Sequence, residues 1–147
     1  MNKENIAKAC GKGLPISTKQ AIEICNFIRN KELQKAKNML NDVIAKKIAV
    51  PYKRFTSVGH RRGKMAAGRY PIKACTEIVS LLKSAESNAQ FIGLNTNNLM
   101  IHELIPNKAG KSWHHGRQRR RKMKRTNIDV VLKEIPVKKE EPKQVNK

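Results

Sequence analysis

The sequence predicts an α+β domain. Three apolar stripes of helical period fall between Ile16 and Gln90, and two strand-like runs, the second rich in β-branched residues, follow in the last third. Those two runs flank a basic, glycine-containing segment, the pattern of an antiparallel pair prolonged into a long protruding β-hairpin. At 147 residues, against about 150 per domain, one domain is expected over residues 1–135. It would carry a basic loop at 51–70 and a hairpin arm at 105–128, with a polar tail at 136–147.

The first helix is expected from Ile16 to Asn30. Ser17 and Gln20 have capping-box spacing, Pro15 blocks extension backward, and Ala21, Ile24, Cys25 and Ile28 form the apolar stripe. A second helix fits Lys31 to Lys47, with Leu33, Ala36, Leu40, Val43, Ile44 and Lys47 at successive helical steps. Lys46 and Lys47 suit its negative C-terminal end, and Pro51 closes the segment. From Pro51 to Tyr70 the periodicity vanishes in a stretch with three glycines and no acid; irregular loops of this length tend to be functional or disordered. Pro71 suits the first turn of a third helix running to about Gln90, with Cys75, Ile78, Val79, Leu82, Ala85 and Ala89 on its buried face. Gly93 is suited to a positive-φ helix exit. Leu99 to Ile105 and Thr126 to Ile135 are the strand candidates. Pro136 to Lys147 lacks core residues, and disorder is expected there.

The charge is concentrated. Of 32 Lys+Arg against 11 Asp+Glu, a formal net +21, nine cations lie between Lys46 and Lys73 and nine between Lys108 and Arg125, and neither window holds an acid. The rest of the chain is nearly neutral. Both windows are interleaved with rings able to stack on unpaired bases: Tyr52, Phe55, His60 and Tyr70 in one, Trp113, His114 and His115 in the other. Trp113 has two readings, a cap on the core or a base-stacking ring. Packed cations repel, so a phosphate backbone is the natural counter-charge, and arginine in the second window suits bidentate contact. Two loops, rather than one recognition helix, fit a folded RNA better than the DNA major groove.

Other classes find little support. No apolar stretch approaches the length of a membrane span, and Met1 to Gly13 lacks a signal-peptide core, so a cytoplasmic location is expected. Three cysteines without a CxxC indicate neither a disulfide scaffold nor a zinc ribbon; Cys25 and Cys75 read as core residues. Gly110-Lys111-Ser112 ends like a P-loop, but Ile105 stands where the motif requires glycine. Gly59, Gly63 and Gly68 do not match dinucleotide-binding spacing. Neither cofactor nor metal is expected. His114 and His115 would point to opposite faces of a strand, and the scattered acids supply no catalytic pair.

A set of local motifs carries a more specific signal. They are Leu14-Pro15-Ile16-Ser17 with Lys19, Ala45 through Lys53-Arg54-Phe55, and Val58-Gly59-His60-Arg61-Arg62-Gly63-Lys64. Gly68-Arg69-Tyr70-Pro71, Ala85-Glu86-Ser87-Asn88-Ala89, Asn107-Lys108, Gly116-Arg117 and Thr126 through Leu132 follow. In these the chain resembles, from about Ala7 to Ile135, the large-subunit ribosomal protein family numbered twenty-two in its archaeal form, whose eukaryotic relatives are numbered seventeen. The run Arg119-Arg120-Arg121-Lys122 is more basic than the family pattern, and the arm is shorter.

The resemblance implies three helices packed on a small antiparallel sheet, with the hairpin reaching into the ribosome. It implies a structural constituent of the large subunit, not an enzyme, that binds 23S-type rRNA, aids assembly, and meets neighbouring ribosomal proteins. In the first window the expected RNA contacts are Lys53, Arg54, His60, Arg61, Arg62, Lys64, Arg69 and Tyr70. In the arm they are Lys108, Lys111 and Trp113, then Arg119, Arg120, Arg121, Lys122, Lys124 and Arg125. His114, His115, Gly116 and Arg117 fall where the family's tip lines the exit tunnel and meets the nascent polypeptide. Two alternatives stand beside this: a free basic nucleic-acid-binding or annealing protein, and a small metal-dependent nuclease using the histidines.

Overall fold

The computed structural model describes residues 5–60 and 65–135. Within them the chain runs β1 (Ile6–Leu14), α1 (Thr18–Ile28), α2 (Leu33–Ile44), β2 (Val50–Pro51), β3 (Gly68–Arg69), α3 (Ile72–Ile92), β4 (Leu99–Lys108) and β5 (Thr126–Glu134). β1, β5 and β4 form an antiparallel sheet in that order, and β2 pairs with β3. The expected α+β architecture of three helices on a small antiparallel sheet is borne out. The expected tail from Pro136 onward lies outside the described residues.

β5 occupies the centre of the sheet because its alternation is complete: Thr126, Ile128, Val130 and Leu132 are all buried. α1 packs on β4, α3 crosses β1 and β5, and α2 lies on α3. Ile24 and Ile28 of α1, Leu33 and Leu40 of α2, and Ile78 and Leu82 of α3 close the core over Leu99, Ile101, Leu104, Ile128 and Leu132. Each such side chain, fully withdrawn from water, contributes about 1.5–3 kcal/mol of burial.

Several boundaries differ from the sequence expectation. β1 is the main addition: Ile6–Leu14 is an edge strand whose inward residues are small, Ala7 being fully buried opposite Leu132. Alanines and glycines there give no β-branched signal, so periodicity passes over it. Asn88 of α3 donates from Nδ2 to the Lys8 carbonyl at 3.0 Å, and Glu86 takes the buried Lys37 ammonium and the Gln34 amide (2.8 Å). The Ala85–Ala89 motif therefore ties α3 to β1 and α2.

Ser17 is the N-cap of α1, but its hydroxyl makes no cap hydrogen bond, so the expected capping box does not form. α2 ends at Ile44 rather than Lys47; Lys46 turns to φ 60°, and both lysines are exposed. Lys47 is therefore not part of the buried stripe. α3 begins after Pro71 and ends at Gly93, whose φ of 86° is the expected left-handed exit. In β4 the burial skips from Ile101 to Leu104 because His102 is an extra residue between Ile101, opposite Leu132, and Glu103, opposite Val131. That bulge is why the alternation past Ile101 is unclear in sequence.

Candidate nucleic-acid interface

α1 organises the surroundings of both basic windows. Glu23 on its inner face is only 1 % exposed, and its carboxylate accepts three consecutive backbone amides. Lys53 N donates at 3.1 Å to Oε2; Arg54 N and Phe55 N donate at 2.8 and 2.7 Å to Oε1. A buried carboxylate needs this satisfaction, and these bonds are stronger than neutral ones. With three amides turned inward, the side chains of Lys53 and Arg54 are left facing solvent. The ring of Phe55 is half-buried, with the Lys19 ammonium 5.5 Å and the Arg54 guanidinium 5.7 Å from its centroid.

The two sides of this loop are partly zipped. Val50 pairs with Arg69 and Pro51 with Gly68, Tyr52 N donates to the Ala67 carbonyl at 3.0 Å, and His60 bridges to Ala67. Tyr52 is a correction to the sequence reading. It is 6 % exposed and belongs to the core, so it stacks on no base, and burial raises its phenol pKa. Arg69 is exposed and lies over Gly59, where an added Cβ would come within 3.4 Å of its Nη1. His60 is exposed and Tyr70 half-buried. Arg61, Arg62 and Lys64 lie outside the described residues.

The arm is fastened to the N-terminal end of α1. Thr126 at its base is fully buried and donates from Oγ1 to the Ile16 carbonyl at 3.0 Å, so the Thr18 hydroxyl, 2.9 Å away, is the donor to Thr126. Arg125 donates from Nη1 to the Gly13 carbonyl at 2.9 Å, while Gly13 N donates to Asn127 Oδ1 at 2.8 Å. Strand-like pairing continues past β4 and β5 through Ala109 N to Arg125 O (3.3 Å), Met123 N to Ser112 O (2.8 Å) and His114 N to Arg121 O (2.9 Å). Beyond it, Gly116 at φ 63° opens a short 3-10 turn through Gln118.

Trp113 is 53 % exposed and carries the Lys122 ammonium 4.5 Å above its ring. It therefore does not cap the core. Lys108, Lys111, His115, Arg117, Arg119, Arg120, Arg121, Lys122 and Lys124 are exposed; His114 and Arg125 are half-covered. The ion pairs found among the described residues, Lys37–Glu86 and His102–Glu103, involve neither window. Three concavities flank these residues. One of about 410 Å³ runs between Lys19, Arg54, Phe55, Arg69 and Tyr70. A second, about 380 Å³, lies between Ser17–Lys19 and the arm's Lys108, Lys111, Lys124 and Arg125. A third, about 340 Å³, is lined by Pro15, Lys73, His114 and the Lys122–Arg125 stretch.

Residues 9–133 match the family model described as ribosomal protein L22p/L17e. The chain belongs to that family. Its members are structural components of the ribosome rather than enzymes. Among archaeal relatives, the large ribosomal subunit protein uL22 of Methanoculleus marisnigri is 41 % identical over 141 residues, covering 90 % of this chain and 92 % of that protein. The protein of the same name from Methanococcoides burtonii is 39 % identical over 142 residues, covering 92 % and 93 %. That from Methanosphaera stadtmanae is 42 % identical over 139 residues, covering 89 % and 90 %.

In this L22p/L17e member, the structure brings Arg54, Arg69 and Tyr70 together on one concavity, and Lys108, Lys111, Lys124 and Arg125 on the next. Lys53 faces away, toward a separate hollow beside Asn26 and Arg29. Sequence reasoning missed Glu23 and Thr126 as the residues that position the two windows. Their one signal was an acid and a threonine at otherwise apolar, inward-facing steps of α1 and β5.

Proposed function

We propose that this chain, a structural constituent of the large ribosomal subunit, binds folded large-subunit rRNA through the 51–70 loop and the 105–128 arm. The supporting observation is that both acid-free windows are tied to α1, by Glu23 and by Thr126, and that the described cations of the windows, all exposed except the half-covered Arg125, stand outside every ion pair found among the described residues. A surface of this kind gains free energy by displacing counterions from a phosphate backbone, and its fixed shape selects a particular RNA fold. The work is neutralisation and shape fit during assembly, not bond chemistry. Neighbouring ribosomal proteins complete its surroundings.

The arm's tip, His114, His115, Gly116 and Arg117, lines the nascent-polypeptide exit tunnel on this reading. Gly116 at φ 63° and the exposed Arg117 beside it make a narrow, basic turn suited to such a wall. The test is sedimentation of the protein at physiological salt. Co-migration with large subunits is expected, and protein running free of them sinks the reading. Substitutions at Gly116 or Arg117 should alter the progress of nascent chains more than the yield of subunits; equal effects on both would remove the tip assignment.

A further inference from the structure

The sequence places the cations in two separate windows, but the three concavities beside them are not separate. The groove holding Arg54, Arg69 and Tyr70 shares Ser17 and Lys19 with the groove under Lys108 and Lys111. That one in turn shares Lys124 and Arg125 with the hollow below Lys122 and His114. No residue lining any of the three is acidic. We infer that loop and arm form one continuous track that holds a single unpaired stretch of RNA. The track runs from Tyr70 and Arg54, past Lys19, to Lys111 and on beneath Lys122. This rests on the RNA-binding reading above and names the form of RNA that the site takes.

Two features select an unpaired strand over a duplex. Aromatic rings line the first groove: Phe55, flanked by Lys19 and Arg54, and Tyr70. A duplex hides its base faces inside the stack, so such rings gain nothing from it, whereas an unpaired base stacks on them for about 1–3 kcal/mol. The second feature is attachment. The loop side of the track is fastened to α1 by the three amides on Glu23, and the base of the arm by the Thr126 hydroxyl, which pairs with Thr18. The loop and the base of the arm are thereby anchored on one helix before RNA arrives, which suits one strand passing from the first to the second.

The test uses large subunits assembled with a full-length chain carrying a photo-crosslinking side chain at Ser57, or at Lys111, exposed positions on the two grooves. Both crosslinks are expected within one uninterrupted unpaired segment of roughly 4–16 nucleotides, the span a small single-strand-binding domain covers. Crosslinks to two different RNA segments, or to paired nucleotides, overturn the track and leave RNA binding standing. A crosslink from one position to a neighbouring protein, with RNA captured at the other, does the same. No RNA crosslink from either position overturns both. In solution, the free chain should prefer oligouridylate over an RNA duplex of equal length. Lys19→Ala and Lys124→Ala should each lower the salt slope for the single strand by about 0.7. Equal binding of duplex and single strand overturns the track.

Discussion

The Arg54 amide donates at 2.8 Å to the carboxylate of Glu23, a residue in the second turn of α1 and almost wholly buried. The exposed guanidinium of Arg54 is thus aimed by a charge of opposite sign that it does not touch. The inner acid shapes the basic loop through backbone, leaving the cation free for an external partner.

Replacing that acid separates its two roles. Glu23→Ala leaves the amides of Lys53, Arg54 and Phe55 without their acceptor, and a loss of roughly 2–4 kcal/mol is expected in urea unfolding. Glu23→Gln keeps one acceptor oxygen and should cost less. A loss below about 0.5 kcal/mol for the alanine variant would mean the loop does not depend on the carboxylate.

The attachment of the arm is tested at Thr126. Thr126→Val preserves shape and burial but removes the hydroxyl that serves Ile16 and Thr18. Destabilisation of about 1–2 kcal/mol is expected. In a double-mutant cycle, Thr18→Ala should add less in the Thr126→Val background than in the original protein. Strict additivity would show that the two hydroxyls do not act together.

The run Arg119-Arg120-Arg121 is exposed at the end of the arm, Arg121 on its last paired rung and the other two beyond it. Its triple replacement by alanine should weaken RNA association and flatten the salt dependence by about two units of slope, at 0.7 per phosphate contact. Far-UV circular dichroism should be unchanged, because none of these side chains enters the core. A marked loss of helix would mean the arm supports the domain.

The three thiols should differ sharply. Cys10 is exposed, whereas burial pushes the thiols of Cys25 and Cys75 up to about 12. At pH 8 Cys10, accessible although a hydrogen bond to Asp129 raises its thiol, should be the thiol that reacts with an aromatic disulfide reagent in the folded chain, and the other two only after denaturation. The same shifts imply an alkaline loss of stability. The folded chain keeps these thiols protonated while the unfolded chain releases the protons near their ordinary value of 9, so stability falls as pH rises from about 9 toward 12. A flat stability profile across that window would contradict the burial.

The helices were legible because their apolar stripes are long and their punctuation is strong: Pro15 before α1 and Gly93 after α3 act as expected, while Pro71 caps α3 from just outside its first turn. Cys25 and Cys75 proved to be core residues, as their place in those stripes required. What escaped the sequence depends on contacts far along the chain. β1 is a strand because β5 offers it a partner, not because its small residues favour extension. Tyr52 reads as a surface ring in a basic window, yet it is drawn into the core beside β2. The positions of the clustered cations were readable from charge, but their convergence on shared grooves was not. It is produced by Glu23 and Thr126, single polar residues whose roles appear only once their distant partners are in place.

The order of strands in the sheet also governs when the domain can be finished. Ile6 lies opposite Lys133, so the first strand to be made must wait for the last before it has a partner. α2 and α3 pack on one another and can associate while the chain is still being synthesised, but α1 waits for β4, and the sheet beneath the helices closes only once β5 has been added. The N-terminal edge is therefore the last structure to lock. Truncation just short of β5 should leave helical chains that are compact, sticky and unable to complete their fold.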